Sequence, residues 1–182
     1  MVQVRPVRLE DAPELARVLT ETQRATFEGL VPDACLDSPT REESERNWRR
    51  FIESGALEQG EFLLVAEDMQ GRMAGFVLAG GATEEDFGEP GQVVRELSVL
   101  MVDSDWQRKG IGRLLVGRVA AAFKAQGTEA VLVGVHADNP NHAFYRRLGA
   151  RRVAVRPYDW AGYQSEMVYY LWDELAALIG QG

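Results

Sequence analysis

The sequence predicts a mixed α/β domain, one sheet with helices on both faces, in the order β-α-α-β-β-β-α-β-α-β-β. Three observations predict it. An apolar run, "QVVRELSVLMV" (92–102), leads through a short turn into a helical pattern and then into a second apolar run, "AVLVGVH" (130–136). That is a strand–helix–strand unit. Strand-like segments come in two pairs, each joined by a short turn. Two further segments near the start carry helix-start signals followed by apolar residues at helical spacing.

Taken in order, "VQVRPVRL" (2–9) alternates polar and apolar residues like an opening strand. Asp11 and Glu14 are spaced as a capping box with Pro13 in the first turn, and Leu15, Val18, Leu19 and Thr22 follow at helical spacing. Thr40 and Glu43 repeat the device before a helix whose face carries Trp48, Phe51 and Ile52. "EFLLVAED" (61–68) and "RMAGFVLAG" (72–80), joined by "MQG", read as an antiparallel hairpin. The acidic loop "GATEEDFGEP" (81–90) reads as a solvated hairpin tip. Residues 110–126 form a helix with Ile111, Leu114, Leu115, Val119, Ala122 and Phe123 on one side and Gly127 as its C-cap. "AVLVGVH" is nearly all apolar, as a buried strand is. Asn139 to Leu148 is a short helix, which Asn139 is placed to cap. "RRVAVRPY" (151–158) and "SEMVYYLW" (165–172) close the sheet around "DWAG", ahead of a last helix "DELAALI".

The bulk composition narrows the function. A chain of 182 residues, 46% hydrophobic and 26% charged, builds a real core and fits one domain. No apolar stretch approaches the ~20 residues of a membrane helix. The start has no basic segment followed by an apolar one, so a cytoplasmic protein is the expectation. Cys35 is the only cysteine, and His136 and His142 are the only histidines, which leaves no metal site to predict. A net charge of −8 argues against nucleic acid as partner. It favours approach of a cationic amine, or serves only to keep the protein soluble.

Against that acidic background, "DSDWQRKGIGRLL" (103–115) gathers Arg108, Lys109 and Arg113 around two glycines where a strand becomes a helix. A helix N-terminus presents unpaired N–H groups and the positive end of the helix dipole, so it attracts anions. Gly110 and Gly112 let the chain turn tightly and let a ligand approach the main chain. Ile111 between them starts the apolar stripe. Phosphate or diphosphate is the expected anion. The G-x-x-x-x-G-K-[ST] and G-x-G-x-x-G patterns are both absent; what stands at Gln107 to Gly112 is Q-x-x-G-x-G.

At these residues the sequence resembles the GNAT superfamily of N-acetyltransferases, whose diphosphate loop reads [Q/R]-x-x-G-x-[G/A] after a long strand. "NPNHAFYRRLGA" (139–150) is similar to that family's second cofactor motif, an Asn ahead of a Tyr just before Leu-Gly. The resemblance runs from Val4 to about Trp172. It implies a mostly antiparallel sheet of six or seven strands whose fourth and fifth strands splay apart. It also implies acetyl-CoA as co-substrate, with no metal, held by Gln107, Arg108, Lys109, Gly110, Ile111, Gly112 and Arg113. Main-chain groups of Leu100, Met101 and Val102, together with Asn139 and Tyr145, would hold the pantetheine arm. The bland reading of Leu100 and Val102, core packing, is compatible with this, since the cofactor contact uses main chain.

Acetyl transfer needs a polarised thioester, a neutral amine, a proton for the leaving thiolate and alignment of the reactants. The resemblance puts Tyr145 near the coenzyme sulfur as the general acid, against the plain reading of a tyrosine packed at a helix end. Glu96 is the candidate base or water-orienting group, with a structural carboxylate paired to Arg95 or another arginine as the alternative and His136 in reserve. Ideal alternation sets Glu96, Ser98, Leu100 and Val102 on one face, a parity that a bulge would break. Cys35 reads as a small buried cysteine, not a nucleophile. The family walls its acceptor site with the segments matching 23–37 and 156–164, which makes Phe27 and Tyr158 substrate candidates. Trp160 and Tyr163 add aromatic surface there, and Asp33, Asp37 and Asp159 add negative charge. A small-molecule amine is the expected acceptor. A peptide amine, or a non-catalytic sensor of acyl-coenzyme A, is the alternative, and dimerisation is common in the family.

Overall fold

The computed structural model describes residues 1–82, Phe87 and 91–179. It forms a seven-stranded sheet in the order β1-β2-β3-β4-β5-β7-β6. The strands are β1 (Val2–Pro6), β2 (Phe62–Asp68), β3 (Met73–Ala82), β4 (Val94–Val102), β5 (Ala130–His136), β6 (Arg151–Trp160) and β7 (Tyr163–Trp172). The helices are α1 (Ala12–Phe27), α2 (Asp33–Leu36), α3 (Arg41–Glu53), α4 (Ile111–Ala125), α5 (His142–Arg147) and α6 (Leu175–Ile179). Every neighbouring pair is antiparallel except β4 and β5, which α4 joins as a crossover and which therefore run parallel. Among the described residues no helix is long and apolar enough to cross a membrane. Most of the acidic loop 81–90 lies outside the described residues.

Two cores cover the two faces of the sheet. Leu115, Val119 and Phe123 of α4, Tyr145 of α5 and Leu175 and Leu178 of α6 pack on Val77, Leu97, Val131, Val133 and Val135. Leu15, Ala16 and Val18 of α1 and Trp48 of α3 pack on Leu63, Val65 and Phe76. The indole N–H of Trp172 donates to the Leu148 carbonyl at 3.1 Å and so ties the end of β7 to the end of α5.

The predicted capping box on α3 is present: the Thr40 hydroxyl accepts from the Glu43 N–H at 3.2 Å and Glu43 accepts from the Thr40 N–H at 2.9 Å. The one expected at Asp11 and Glu14 is not. A 3-10 turn over Leu9–Asp11 precedes α1, and the Asp11 carboxylate turns back to accept from the Arg8 N–H at 2.7 Å and from the Arg5 guanidinium at 2.7 and 2.8 Å. A two-pronged charged contact outweighs a single cap bond. One boundary and one element also differ. Helix α5 starts at His142, because the Asn139 side chain accepts from the Asn141 N–H at 2.8 Å and holds residues 139–141 as a turn. The 23–37 segment contains the one-turn helix α2.

Arg5 also bonds Glu67 at 2.7 Å. The Arg5 hydrogen bond, then that of Gln3, holds the Glu67 carboxyl below the usual carboxylate range. A carboxyl depressed by folding stabilises the fold above its unfolded value, about 4.3, and that stability is lost as the pH falls through the folded value. The Tm of the protein is therefore expected to fall between about pH 5 and pH 3, and Arg5→Met to show a shallower fall from a lower start. Parallel slopes in a thermal melt series would remove this pair from the acid transition.

Candidate active site

Strands β4 and β5 part. Their pairing covers only Val94 to Glu96 against Ala130 to Leu132, and among the described residues no pair joins them beyond Leu132. The main-chain edge of residues 97–102 turned away from β3 therefore faces a widening gap. At the wide end the chain passes through a 3-10 turn, Ser104–Trp106, into the turn that opens α4. Arg108 at φ 61° and Gly110 at φ 86° both adopt left-handed backbone there. The first N–H of α4 with a main-chain acceptor inside the turn is that of Leu114, bonded to the Gly110 carbonyl at 2.9 Å. The N–H groups of Ile111, Gly112 and Arg113 lie ahead of it in the helix's first turn, as helix geometry requires.

The surroundings keep this turn positive. Arg108, Lys109 and Arg113 are exposed. Lys109 is drawn over the Trp106 ring, 5.3 Å from its centroid, and donates to the Asp105 carbonyl at 2.7 Å. Of the two acids that precede the turn, Asp103 and Asp105, the first is countered by Arg17 of α1 at 2.9 Å. The two glycines differ in their reason. A side chain at Gly110 would meet nothing within 4 Å, so its backbone angle is what calls for glycine. A Cβ at Gly112 would stand 3.1 Å from the Phe144 ring, so there glycine lets α4 and α5 close on each other. One expected main-chain ligand is already engaged: the Gln107 amide donates to the Val102 carbonyl at 3.1 Å.

The faces of β4 correct the ideal alternation. Leu78 pairs with Val99 and Ala79 with Leu97, which leaves Ser98 as an extra, bulged residue. Leu97, Leu100 and Val102 pack on the α4 side, and Val99 and Met101 on the α1 side. Arg95 lies over the Phe123 ring of α4, so its neighbour Glu96 faces the α1 side. Glu96 is thus opposite in face to Leu100 and Val102, and it sits at the last paired position before the gap opens. Glu96 and Arg95 thus lie on opposite faces of β4.

Tyr145 stands on the other side of the sheet, stacked on Tyr170 with ring centroids 6.0 Å apart. Burial pushes its hydroxyl up to about 12. Asn139, in the loop after β5, is 1 turn from His136, whose carbonyl accepts its N–H at 2.9 Å.

On the α1 side, the end of α1, α2 and the tip of the β6–β7 hairpin meet. Ala161 and Gly162, at φ 52° and 86°, make a two-residue turn, which extends both strands beyond their expected ends. The hairpin thereby reaches the end of α1: the Phe27 and Trp160 rings are 5.1 Å apart. Phe27 and Tyr158, expected near each other only through the resemblance, both pack on His136, at 5.5 and 5.9 Å. Cys35 is fully buried beneath them, and its thiol donates to the Trp160 carbonyl at 3.1 Å. Burial, then the charge of Asp159, pushes that thiol up, which suits a packing residue and not a nucleophile.

Sequence reasoning missed Asp138, which accepts from the Tyr163 hydroxyl at 3.1 Å and lies 3.8 Å from the His136 ring. It also missed Trp106, the platform under Lys109. The signal for Asp138 was its place two residues after a strand-ending histidine; Trp106 carried no signal of its role.

A parallel pair of strands splayed around a glycine turn, with basic residues at the helix end, defines an acyltransferase of the GNAT type. The pattern of the acetyltransferase (GNAT) family matches residues 19–150, and the chain belongs to that family. It is 30% identical over 178 residues to YuaI of Bacillus subtilis (strain 168), described as an uncharacterized N-acetyltransferase; the match covers 98% of this chain and 96% of that one. Its fold is similar to that of PaiA N-acetyltransferase from Thermoplasma acidophilum, solved in complex with coenzyme A, with a TM-score of 0.72 and 20% identity over 92% of this chain and 98% of that one. It is also similar to YncA from Salmonella typhimurium, solved with its cofactor acetyl-CoA, with a TM-score of 0.68 and 17% identity over 95% and 94%.

Proposed function

We propose that the protein moves an acetyl group from acetyl-CoA to the primary amine of a small molecule, by direct attack within a ternary complex. The observation that carries this reading is the parting of β4 from β5 beyond Glu96, with the basic turn 107–113 at its open end. The residues present fit the coenzyme. The first-turn N–H groups of Ile111, Gly112 and Arg113, with Arg108 and Arg113, suit its diphosphate. The exposed main-chain edge of β4 suits the amides of its pantetheine arm. Acetyl-CoA supplies the activated acyl group.

The chain's own groups then divide across the sheet. Glu96, on the α1 side at the closed end of the gap, takes the amine's proton, directly or through an ordered water. The freed lone pair attacks the thioester carbonyl carbon and forms the C–N bond; the nitrogen then gives its remaining surplus proton to water, and the C–S bond breaks to leave the neutral amide. Tyr145, on the α4 side, returns a proton to the departing sulfur. Burial keeps its hydroxyl protonated throughout the neutral range, so the donor is always loaded. Two features support a small acceptor. The contact between Phe27 and Trp160 closes the space between α1 and the hairpin, and aromatic faces with an acidic surround suit an ammonium ion.

The test has two readouts. Acetyl-CoA and free coenzyme A are expected to raise the Tm by similar amounts. Thiol release is expected only when an amine from a panel of polyamines, aminoglycosides, amino acids and peptides is present. Cys35→Ala should keep its turnover within about threefold, because a buried thiol of raised pKa takes no acyl group. Thiol release without an amine, lost in Cys35→Ala, would replace direct attack by a covalent route. Binding of coenzyme with no thiol release for any amine would make the protein a sensor of acyl-coenzyme A.

A further inference from the structure

The imidazole of His136 is a buried polar group that the transfer chemistry leaves without a task. It ends β5 on the α1 side, is 7% exposed, and is ringed by Trp160, Phe27, Tyr158 and Tyr163, with centroids 5.1, 5.5, 5.9 and 6.4 Å away. One edge of the ring is engaged: Nδ1 faces the main-chain N–H of Asp138 at 3.3 Å and accepts from it. A neutral imidazole that accepts at Nδ1 carries its proton on Nε2. Burial lowers the pKa of His136; the Asp138 carboxylate opposes this, and His142 reinforces it. The ring is therefore neutral.

Nε2 is buried with no hydrogen-bond partner among the described residues. Buried N–H groups are nearly always paired, so a donor left open inside an aromatic enclosure points to a ligand atom. Asp138, Tyr163 and His142, polar neighbours of the ring, are committed elsewhere. The Asp138 carboxylate lies on the Nδ1 side and accepts from the Tyr163 hydroxyl. His142 bonds the carbonyls of His136 and Ala137 and the Tyr170 hydroxyl.

We propose that His136 Nε2–H selects the acceptor by donating to a neutral oxygen close to the amine, an amide or ester carbonyl, while the surrounding rings hold its apolar or aromatic body. A free carboxylate fits less well. Asp138 lies 3.8 Å from the ring, and Asp159 bears on the Cys35 thiol behind Trp160, so an added negative charge meets like charges. The preferred acceptor class is therefore an α-amino amide or ester with an aromatic side chain. This rests on the transferase reading above.

Calorimetric titration of the coenzyme A-loaded protein with L-phenylalanine amide, 2-phenylethylamine and L-phenylalanine separates the contributions. The amide is expected to bind about tenfold tighter than the amine lacking the carbonyl, the size of one buried hydrogen bond, and tighter than the free acid. His136→Phe keeps the aromatic enclosure and removes the donor; it is expected to abolish the tenfold preference, read as the ratio of the amide and amine affinities in the same variant. His136→Gln, which restores a donor, should recover part of it. Equal affinities in the unaltered protein, a preference retained in His136→Phe, or no binding of any of the three would each overturn the inference. The two readings fail separately. A protein that acetylates other amines but ignores phenylalanine amide defeats the inference alone, whereas one that releases no thiol with any amine defeats the transferase reading.

Discussion

Gly112→Val is expected to abolish the rise in Tm that acetyl-CoA produces and to lower the Tm of the free protein as well. A Cβ there would lie 3.1 and 3.3 Å from two carbons of the Phe144 ring and 3.7 Å from a Val102 methyl, and valine adds two more methyls to it. Phe144 neighbours Tyr145 in α5, so the crowding acts on α4's first turn and on the proposed acid together. Overpacking of this kind costs about 1–3 kcal/mol, or roughly 2–12 °C of Tm in a domain of this size. Gly110→Ala provides the contrast. It has open space around it, and its cost is that of a left-handed non-glycine residue, about 1–2 kcal/mol, with binding weakened but present. A full coenzyme-induced shift in Gly112→Val would place the diphosphate somewhere other than this turn.

Glu96→Gln is expected to lower kcat/KM by about 10²- to 10⁴-fold, the usual contribution of a positioned proton acceptor. The change is isosteric, and the residue is half-buried at the last β4–β5 pair, so Tm and the affinity for acetyl-CoA should stay near their original values. Steady-state kinetics with a saturating amine, read beside a thermal melt, separate the two effects. A loss smaller than about threefold would move proton removal away from Glu96.

Much of the fold was readable along the chain because its signals are short-range. Two strand-like runs joined by the short turn "MQG" located the β2–β3 hairpin, and the apolar run 130–136 coincides with β5 residue for residue. The Thr40–Glu43 box marked the start of α3. The misreadings occurred where a local signal had a competitor from elsewhere in the chain. Asp11 had Arg5 within reach, and a carboxylate bonded by a guanidinium does not also cap a helix. Asn139 did bond a nearby N–H, but as part of a turn that delayed α5 by three residues.

The candidate site divides in the same way. The basic glycine turn could be found from the sequence because strand, glycines, cations and helix follow one another within a dozen residues, and the anion-binding property belongs to the helix end itself. The side of the sheet on which Glu96 works could not, because a single bulged residue at Ser98 inverts the parity of everything beyond it. The enclosure of His136 was equally hidden. Its four aromatic neighbours come from α1 and the β6–β7 hairpin, and they meet it because β7 pairs with β5 and a two-residue turn carries the hairpin tip to Phe27. Patterns of a few residues set conformation and local charge. Which side chains surround a buried group depends on strand register and packing across the whole chain, and those contacts exist once the sheet has closed.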